Sequence, residues 1–290
     1  MEQENARFFL FVNYLDAHWP YVSPPPFDSA EPPPAEAYAW NDFYRLMRDV
    51  MTFERPLGEE QRRRLESLYD LGLTYLDLHL GKLLAHLKEL GLYEKALIIV
   101  TSDHGEAFGE KHLLEHGVST YQDLLHVPLT IKYPHQSGAT VVSELVSAVD
   151  IMPTILDVLG YEVPSFAEGE SLRKVGIGRS RAVISESFPG NFVLGFGPRF
   201  DRIERAIFSG PFKFIGSTDG KRELYDLSMD PNEEHNILDS YGETAKELEA
   251  RLGRWLEDVQ AGARSSVTPS HGSDIDAADK ERLRALGYLQ

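Results

Sequence analysis

The chain has 290 residues, 42% of them hydrophobic, enough for a sizeable core, which excludes a wholly disordered chain. Lys and Arg number 29 against 46 Asp and Glu, a net charge of −17 that repels phosphate backbones and anionic lipid and argues against nucleic acid as a partner. There is no cysteine, so disulfides, thiolate metal sites and a cysteine nucleophile are excluded within these residues. Residues 7–14 are almost continuously apolar and predict a strand buried on both faces. Pro20, Pro24 to Pro26 and Pro32 to Pro34 then predict an extended surface loop, and residues 22–58 carry no assigned element. From Leu65 to Leu90 apolar residues recur at steps of three and four, the spacing of a long amphipathic helix, and Gly91 ends it. Residues 96–102 form a second apolar strand, so strand, long helix and strand suggest a parallel crossover unit. Residues 127–132 predict a third strand and 147–159 a helix ended by Gly160. Beyond about residue 165, short apolar runs at 181–186, 204–208, 212–215 and 223–227 alternate with Gly, Pro and Asp turns, the pattern of a small antiparallel sheet. Helices over 244–259 and 279–286 close the chain, with a Gly/Ser-rich linker between them at 261–278. The longest apolar runs, such as 8–12 and 97–100, are strand-sized, so no membrane span is expected.

Three clusters carry candidate chemistry. Thr101-Ser102-Asp103-His104-Gly105-Glu106 follows a predicted buried strand, and ligands of open α/β sheets bind beyond the carboxyl ends of strands. Carboxylate oxygen and neutral imidazole nitrogen both ligate metals, and Gly105 permits the bend that aims two adjacent donors at one ion; the plainer reading has Asp103 capping a helix. Lys111, His112 and His116 put three basic side chains into one stretch of an acidic chain, a local site for an anion. His18, within Asp16-Ala17-His18-Trp19-Pro20-Tyr21, follows the first predicted strand and reaches the same sheet edge. No nucleophile elbow, Walker loop or Gly-x-Gly-x-x-Gly is present. These groups can hold a metal and an anion, but none of them attacks.

The ordered motifs resemble the sulfatase family of the alkaline-phosphatase superfamily. They are Phe9-Leu-Phe-Val with His18-Trp-Pro-Tyr21, the helix ending at 80–93, Ile98-Ile-Val-Thr-Ser-Asp-His-Gly-Glu106, His116-Gly117, Tyr121 to Leu129, Val149-Asp-Ile-Met-Pro-Thr-Ile-Leu156, Glu223-Leu-Tyr-Asp-Leu227 with Asp230-Pro-Asn-Glu233, and Leu283-Arg-Ala-Leu-Gly-Tyr288. The resemblance implies an alkaline-phosphatase-like α/β/α sandwich, incomplete and with a mostly parallel sheet, followed by a small antiparallel sheet and helices. It divides the chain into 1–165, the second half of the α/β domain; 166–260, a C-terminal α+β subdomain; and 261–290, a linker and terminal helix.

The resemblance further implies hydrolysis of small-molecule or carbohydrate sulfate esters. Asp103 and His104 match metal ligands for a divalent cation, usually Ca²⁺; His104 in place of the more usual Asn leaves Mg²⁺ or Mn²⁺ open. His18 matches a contact to the sulfate or leaving-group oxygen and His116 a sulfate ligand that acts on the leaving group; Lys111, by its charge, is expected as a further substrate-binding cation. The family's paired Asp ligands and its Cys-x-Pro-x-Arg motif, whose Cys becomes the formylglycine nucleophile, have no match here. The expectation is therefore a C-terminal portion that supplies half a metal site and the anion-binding histidines, inactive by itself and exposing apolar edges. A phosphatase, phosphonate hydrolase or phosphoglycerol transferase portion is the alternative within the superfamily, and a non-catalytic assembly module the alternative outside it. The Glu223 to Glu233 tail favours the sulfatase.

Overall fold

The computed structural model describes residues 8–28, 31–174, 181–193 and 195–266. It divides into two compact units, Met1–Gly242 and Glu243–Gln290. The first ordered helix, α1 (Trp40–Met51), lies inside the stretch that the sequence left as loop. Its Phe43, Leu46, Met47, Val50 and Met51 recur at helical spacing and are all buried, so this segment is a principal core element. The prolines before it end at Pro34 and leave the helix untouched.

Helix α2 (Glu59–Glu89) follows, about 46 Å long at the standard rise. It outruns the core: Leu65, Leu68 and Gly72 are buried, whereas Leu73 and Leu78 are exposed. Strand β1 (Ile98–Thr101) comes next, then the short hairpin β2 (Ala107–Phe108) and β3 (Leu114–Glu115), one helical turn α3 (Gln122–Leu125), and β4 (Leu129–Lys132). β1 pairs with β4 in antiparallel register, from Ile98 opposite Lys132 to Thr101 opposite Leu129. The expected parallel strand–helix–strand unit is corrected here, because among the described residues every strand pair is antiparallel.

Residues 8–14 form no strand, and Phe8, Phe9 and Phe11 are 63%, 77% and 78% exposed. β-propensity alone makes no strand: the ladder needs a partner, and none among the described residues pairs with this run.

A 3₁₀ turn (Ala148–Asp150) leads into α4 (Ile151–Leu159), with Ser147 and Asp150 forming a capping box and Gly160 closing the helix in the left-handed region at φ 77°. Strands β5 (Val183–Ser187), β6 (Glu204–Ser209), β7 (Phe212–Ser217) and β8 (Arg222–Asp226) make the expected antiparallel meander, in chain order. One apolar core joins α1, the first half of α2, the β2–β3 hairpin and the inner residues Ala206, Phe208, Ile215 and Tyr225 of the meander. Helix α5 (Gly242–Ser266) begins as predicted and continues six residues into the stretch expected to be linker. The predicted helix at 279–286 lies outside the described residues, and no described helix is long and apolar enough to cross a membrane.

Candidate active site

Two glycines and a hairpin bring distant side chains together. After β1, Ser102 Oγ donates to the His104 carbonyl at 2.7 Å, and the Gly105 amide donates to the Leu124 carbonyl at 2.9 Å. A Cβ on Gly105 would lie 2.0 Å from the Asp123 carbonyl oxygen, so only glycine allows this approach. Gly72 does the same for the loop that carries His18, since a Cβ there would meet the Asp16 carbonyl oxygen at 2.4 Å. The third device is the β2–β3 hairpin, whose Ala107–Glu115 pair sets Glu106 and His116 side by side at its open end.

Three histidines from separate segments meet here. The His104 and His116 rings stack at 3.7 Å with 18° between their planes, and His18 stands edge-on, 5.1 Å from His116 and 6.5 Å from His104. Their hydrogen bonds fix the nitrogens left for chemistry. His104 Nδ1 lies 2.8 Å from the Gly105 carbonyl and His18 Nδ1 2.5 Å from the Trp19 carbonyl. A carbonyl only accepts, so each Nδ1 carries a proton and each Nε2 is free to ligate a metal or, once protonated, to donate to an oxyanion. Asp103 Oδ1 lies 3.7 Å from His104 Nε2. His116 Nδ1 is 3.3 Å from both oxygens of Glu106.

Beneath the rings lie two carboxyls to which the sequence assigned no role. Burial pushes Glu106 up to about 7 against the pull of His104 and His18, with Tyr21 also hydrogen-bonding to it. Burial likewise pushes Glu115 up to about 7; His116 pulls it down and Glu106 pushes it further up. Glu115 holds φ at 69°, in the left-handed region, and its Oε2 is buried without a partner among the described residues. Burial in turn lowers His116. Both Glu residues were visible in the sequence, but the burial that makes them unusual was not.

Lys111 and His112 do not join this cluster. They occupy the closed tip of the hairpin, where Lys111 Nζ donates to the Glu233 carbonyl and the His112 ring packs 4.5 Å from that of Phe53. Proximity in sequence to His116 misled here, because the hairpin points its two ends in opposite directions.

The loop after His116 is pinned by acidic residues from beyond the α/β region. Glu204 Oε1 accepts from Ser119 Oγ at 2.6 Å, Thr120 N at 2.7 Å and Thr120 Oγ1 at 2.9 Å. Tyr121 donates to Glu223 at 2.7 Å, and the Gln122 amide to Glu233 at 2.7 Å. The acidic ends of the Glu223-Leu-Tyr-Asp-Leu and Asp230-Pro-Asn-Glu233 motifs thus hold the histidine-bearing segment in place.

For a divalent cation, Asp103 and His104 are a chemically apt but incomplete donor set. The His104 Nδ1–H bond to a carbonyl is the support that ligating histidines use, and it leaves Nε2 beside a carboxylate oxygen. Among the described residues no three His, Asp or Glu side chains form a group able to hold an ion.

A sequence model described as Sulfatase matches residues 1–161, and one described as N-sulphoglucosamine sulphohydrolase, C-terminal, matches residues 109–261. Arylsulfatase K of Bos taurus is 31% identical over 200 residues, covering 67% of this chain and 37% of that protein. The solved phosphonate monoester hydrolase from Silicibacter pomeroyi superposes with a TM-score of 0.63 at 27% identity, covering 84% of this chain and 54% of that one. A structure in complex with its substrate D-glucosamine-2-N,6-O-disulfate superposes at 0.56 and 25% identity, covering 81% and 48%. The chain therefore spans between 37% and 54% of the length of these relatives. The superpositions share the alkaline-phosphatase-like fold, here with the four-stranded C-terminal sheet. The whole histidine cluster lies within the residues that the first family model matches, and the chain belongs to the sulfatase family of the alkaline-phosphatase superfamily.

Proposed function

We propose that this chain supplies the anion-binding histidines and half the metal site of an enzyme that hydrolyses sulfate monoesters, small-molecule or carbohydrate. The observation that carries this is the meeting of His18, His104 and His116 beside Asp103. Asp103 and His104 would hold a divalent cation, Ca²⁺ first and Mg²⁺ or Mn²⁺ as alternatives, with the remaining ligands outside the described residues. Such an ion stabilises charge on the ester oxygens.

The chain's own residues act around the ester. Glu106 orients His116 through Nδ1, and in its cationic form His116 hands the Nε2 proton to the leaving oxygen and is left neutral. His18, when protonated, donates from Nδ1 to the Trp19 carbonyl and from Nε2 to a sulfate oxygen. Because the chain has no cysteine, a formylglycine nucleophile would lie outside it, and these residues alone turn nothing over.

The test is turnover of an aryl sulfate by the natural gene product. His116→Gln is expected to lower kcat/KM by roughly 10²–10³, the loss of one charge-stabilising donor. An unchanged rate makes His116 structural. Preference for a phosphonate monoester would move the assignment to phosphonyl chemistry, which the likeness to the Silicibacter pomeroyi enzyme favours as the second reading. Turnover by the 290-residue chain alone, abolished in Asp103→Ala, would overturn the half-site proposal.

A further inference from the structure

At the closed tip of the hairpin, away from the three histidines, lies a cleft of about 440 Å³ lined by Phe53, Lys111, Tyr121, Arg199, Lys221 and Tyr225 together with Arg202 and Glu223. Four of its lining side chains are cationic and one is anionic, in a chain whose net charge is −17. Carboxylates account for two of those cations. Arg202 pairs with Glu204 at 3.0 Å and Asp219 at 2.9 Å, and Lys221 pairs with Glu223 at 2.7 Å.

The other two donate only to carbonyl oxygens among the described residues. Lys111 Nζ reaches the Glu233 carbonyl, and Arg199 Nη2 reaches the Lys111 carbonyl at 2.6 Å. A carbonyl dipole solvates a cation without cancelling its charge, and the carboxylates of Asp123, Asp230 and Glu233 act on Lys111, and those of Glu204 and Glu223 on Arg199, through space without a hydrogen bond to either. Arg199 Nη1 is buried and has no partner at all among the described residues. A buried donor left unmet costs free energy, and in native folds an ordered water or a ligand meets most such groups.

Aromatic faces complete the lining. Lys111 Nζ stands 5.6 Å from the centre of the Tyr121 ring and 5.8 Å from that of Tyr225, and the Arg199 guanidinium lies 5.5 Å from the centre of the Phe53 ring. The backbone around the cleft is also costly to hold. Phe53, Lys111 and His112 have φ of 62°, 51° and 56°, and Glu233, whose carbonyl receives Lys111, has 55°. Non-glycine residues in this region store strain that the surroundings must fix. Were the cluster only a clasp between hairpin and sheet, the carboxylate pairing seen at Arg202 would suffice, and Arg199 would not be left with an idle nitrogen.

We propose that this cleft binds an oxyanion, a sulfate or carboxylate group, with Arg199 and Lys111 as its cationic ligands and Phe53, Tyr121 and Tyr225 as walls. The site is independent of turnover at the histidines. Its oxyanion comes either from a free ion or from an acidic group borne on a sugar ring, which the aromatic walls would pack against.

The test is NMR of the arginine Nε–H signals of the 290-residue protein, with the Arg199 signal assigned from the Arg199→Lys variant. Inorganic sulfate and methyl β-D-glucuronide are titrated separately, with chloride at matched ionic strength as control. A saturable shift of the Arg199 signal is expected, persisting in His116→Gln and weakened at least tenfold in Lys111→Met. Tighter binding of the glucuronide assigns the ring-borne group, and tighter binding of sulfate the free ion. No saturable shift with either probe, the same shift with chloride, or a shift lost in His116→Gln overturns the proposal. If a variant fails to fold, the absence of a saturable shift in every arginine Nε–H signal of the wild-type protein refutes the proposal without any assignment.

Discussion

Two regions of the first unit, the β5–β8 meander and the pair of small sheets β1–β4 and β2–β3, treat buried charge and apolar surface differently. In the β5–β8 meander the four strands pair continuously, and Lys213, fully buried, meets Glu233 at 2.5 Å, an opposite charge that works against the burial lowering Lys213 and raising Glu233. Burial works against the charge of Glu204, but hydrogen bonds from Ser119 and Thr120 and the Arg202 guanidinium outweigh it and hold the carboxyl below its usual range. Around β1–β4 and the β2–β3 hairpin no Lys or Arg pairs with the buried carboxyls among the described residues. Each of these sheets has only two strands, Phe8, Phe9 and Phe11 are exposed, and Glu106 and Glu115 sit near 7 because burial penalises their charge. Glu204, Glu223 and Glu233 reach across to hold the loop after His116, while the small sheets carry the candidate histidines.

That contrast can be broken from its strong side first. Lys213→Met leaves Glu233 as an uncompensated buried charge and is expected to cost about 3–5 kcal/mol in urea unfolding. The Lys213→Met/Glu233→Met pair should recover most of that loss. A single-variant cost under about 1 kcal/mol would show that the meander does not depend on this pair.

Next comes Glu115. Its carboxyl is raised in the folded state, so the stability it contributes is full below the ordinary carboxylate pKa near 4.5 and fades as pH rises through about 7. The span corresponds to roughly 3 kcal/mol at 1.36 kcal/mol per unit. Glu115→Gln should remove that part of the decline and be more stable than the wild type at pH 8. Parallel urea curves for the two proteins between pH 5 and 8 would discard the assignment.

Glu204 has the reverse sign. Its depressed carboxyl adds stability above the ordinary carboxylate pKa, lost as pH falls through the folded value. Glu204→Gln should cost about 1–3 kcal/mol at pH 7 and flatten the acid limb of the unfolding profile. The smallest effect belongs to the open edge. Phe9→Asp with Phe11→Asp should change stability by no more than about 0.5 kcal/mol while lowering binding of the dye ANS. A large destabilisation would mean that these rings are packed in solution.

Periodicity made much of this legible. The step of three and four from Leu65 to Leu90 announced α2, and short apolar runs between Gly, Pro and Asp turns announced the meander. Helix α1 carries the same signal at Phe43, Leu46, Met47, Val50 and Met51, but neighbouring prolines drew the reading toward loop. Residues 8–14 and the parallel unit misled for one shared reason: strand pairing is a relation between segments, and composition names only one partner. At the site, Asp103 and His104 follow from their position past the end of β1, and His18 and His116 from the family resemblance. Glu106, Glu115 and the pinning carboxylates Glu204, Glu223 and Glu233 owe their character to burial and to partners up to 111 residues away, which no local pattern encodes.

The most direct test of the half-built metal and anion site uses Mn²⁺ as a paramagnetic probe of the histidine NMR signals. Substoichiometric Mn²⁺ should broaden His104 first and then its ring neighbours His116 and His18, leave His112 and His235 sharp, and do none of this in Asp103→Ala. Broadening that is uniform over all the histidines, or that survives in Asp103→Ala, would contradict a metal site at Asp103 and His104.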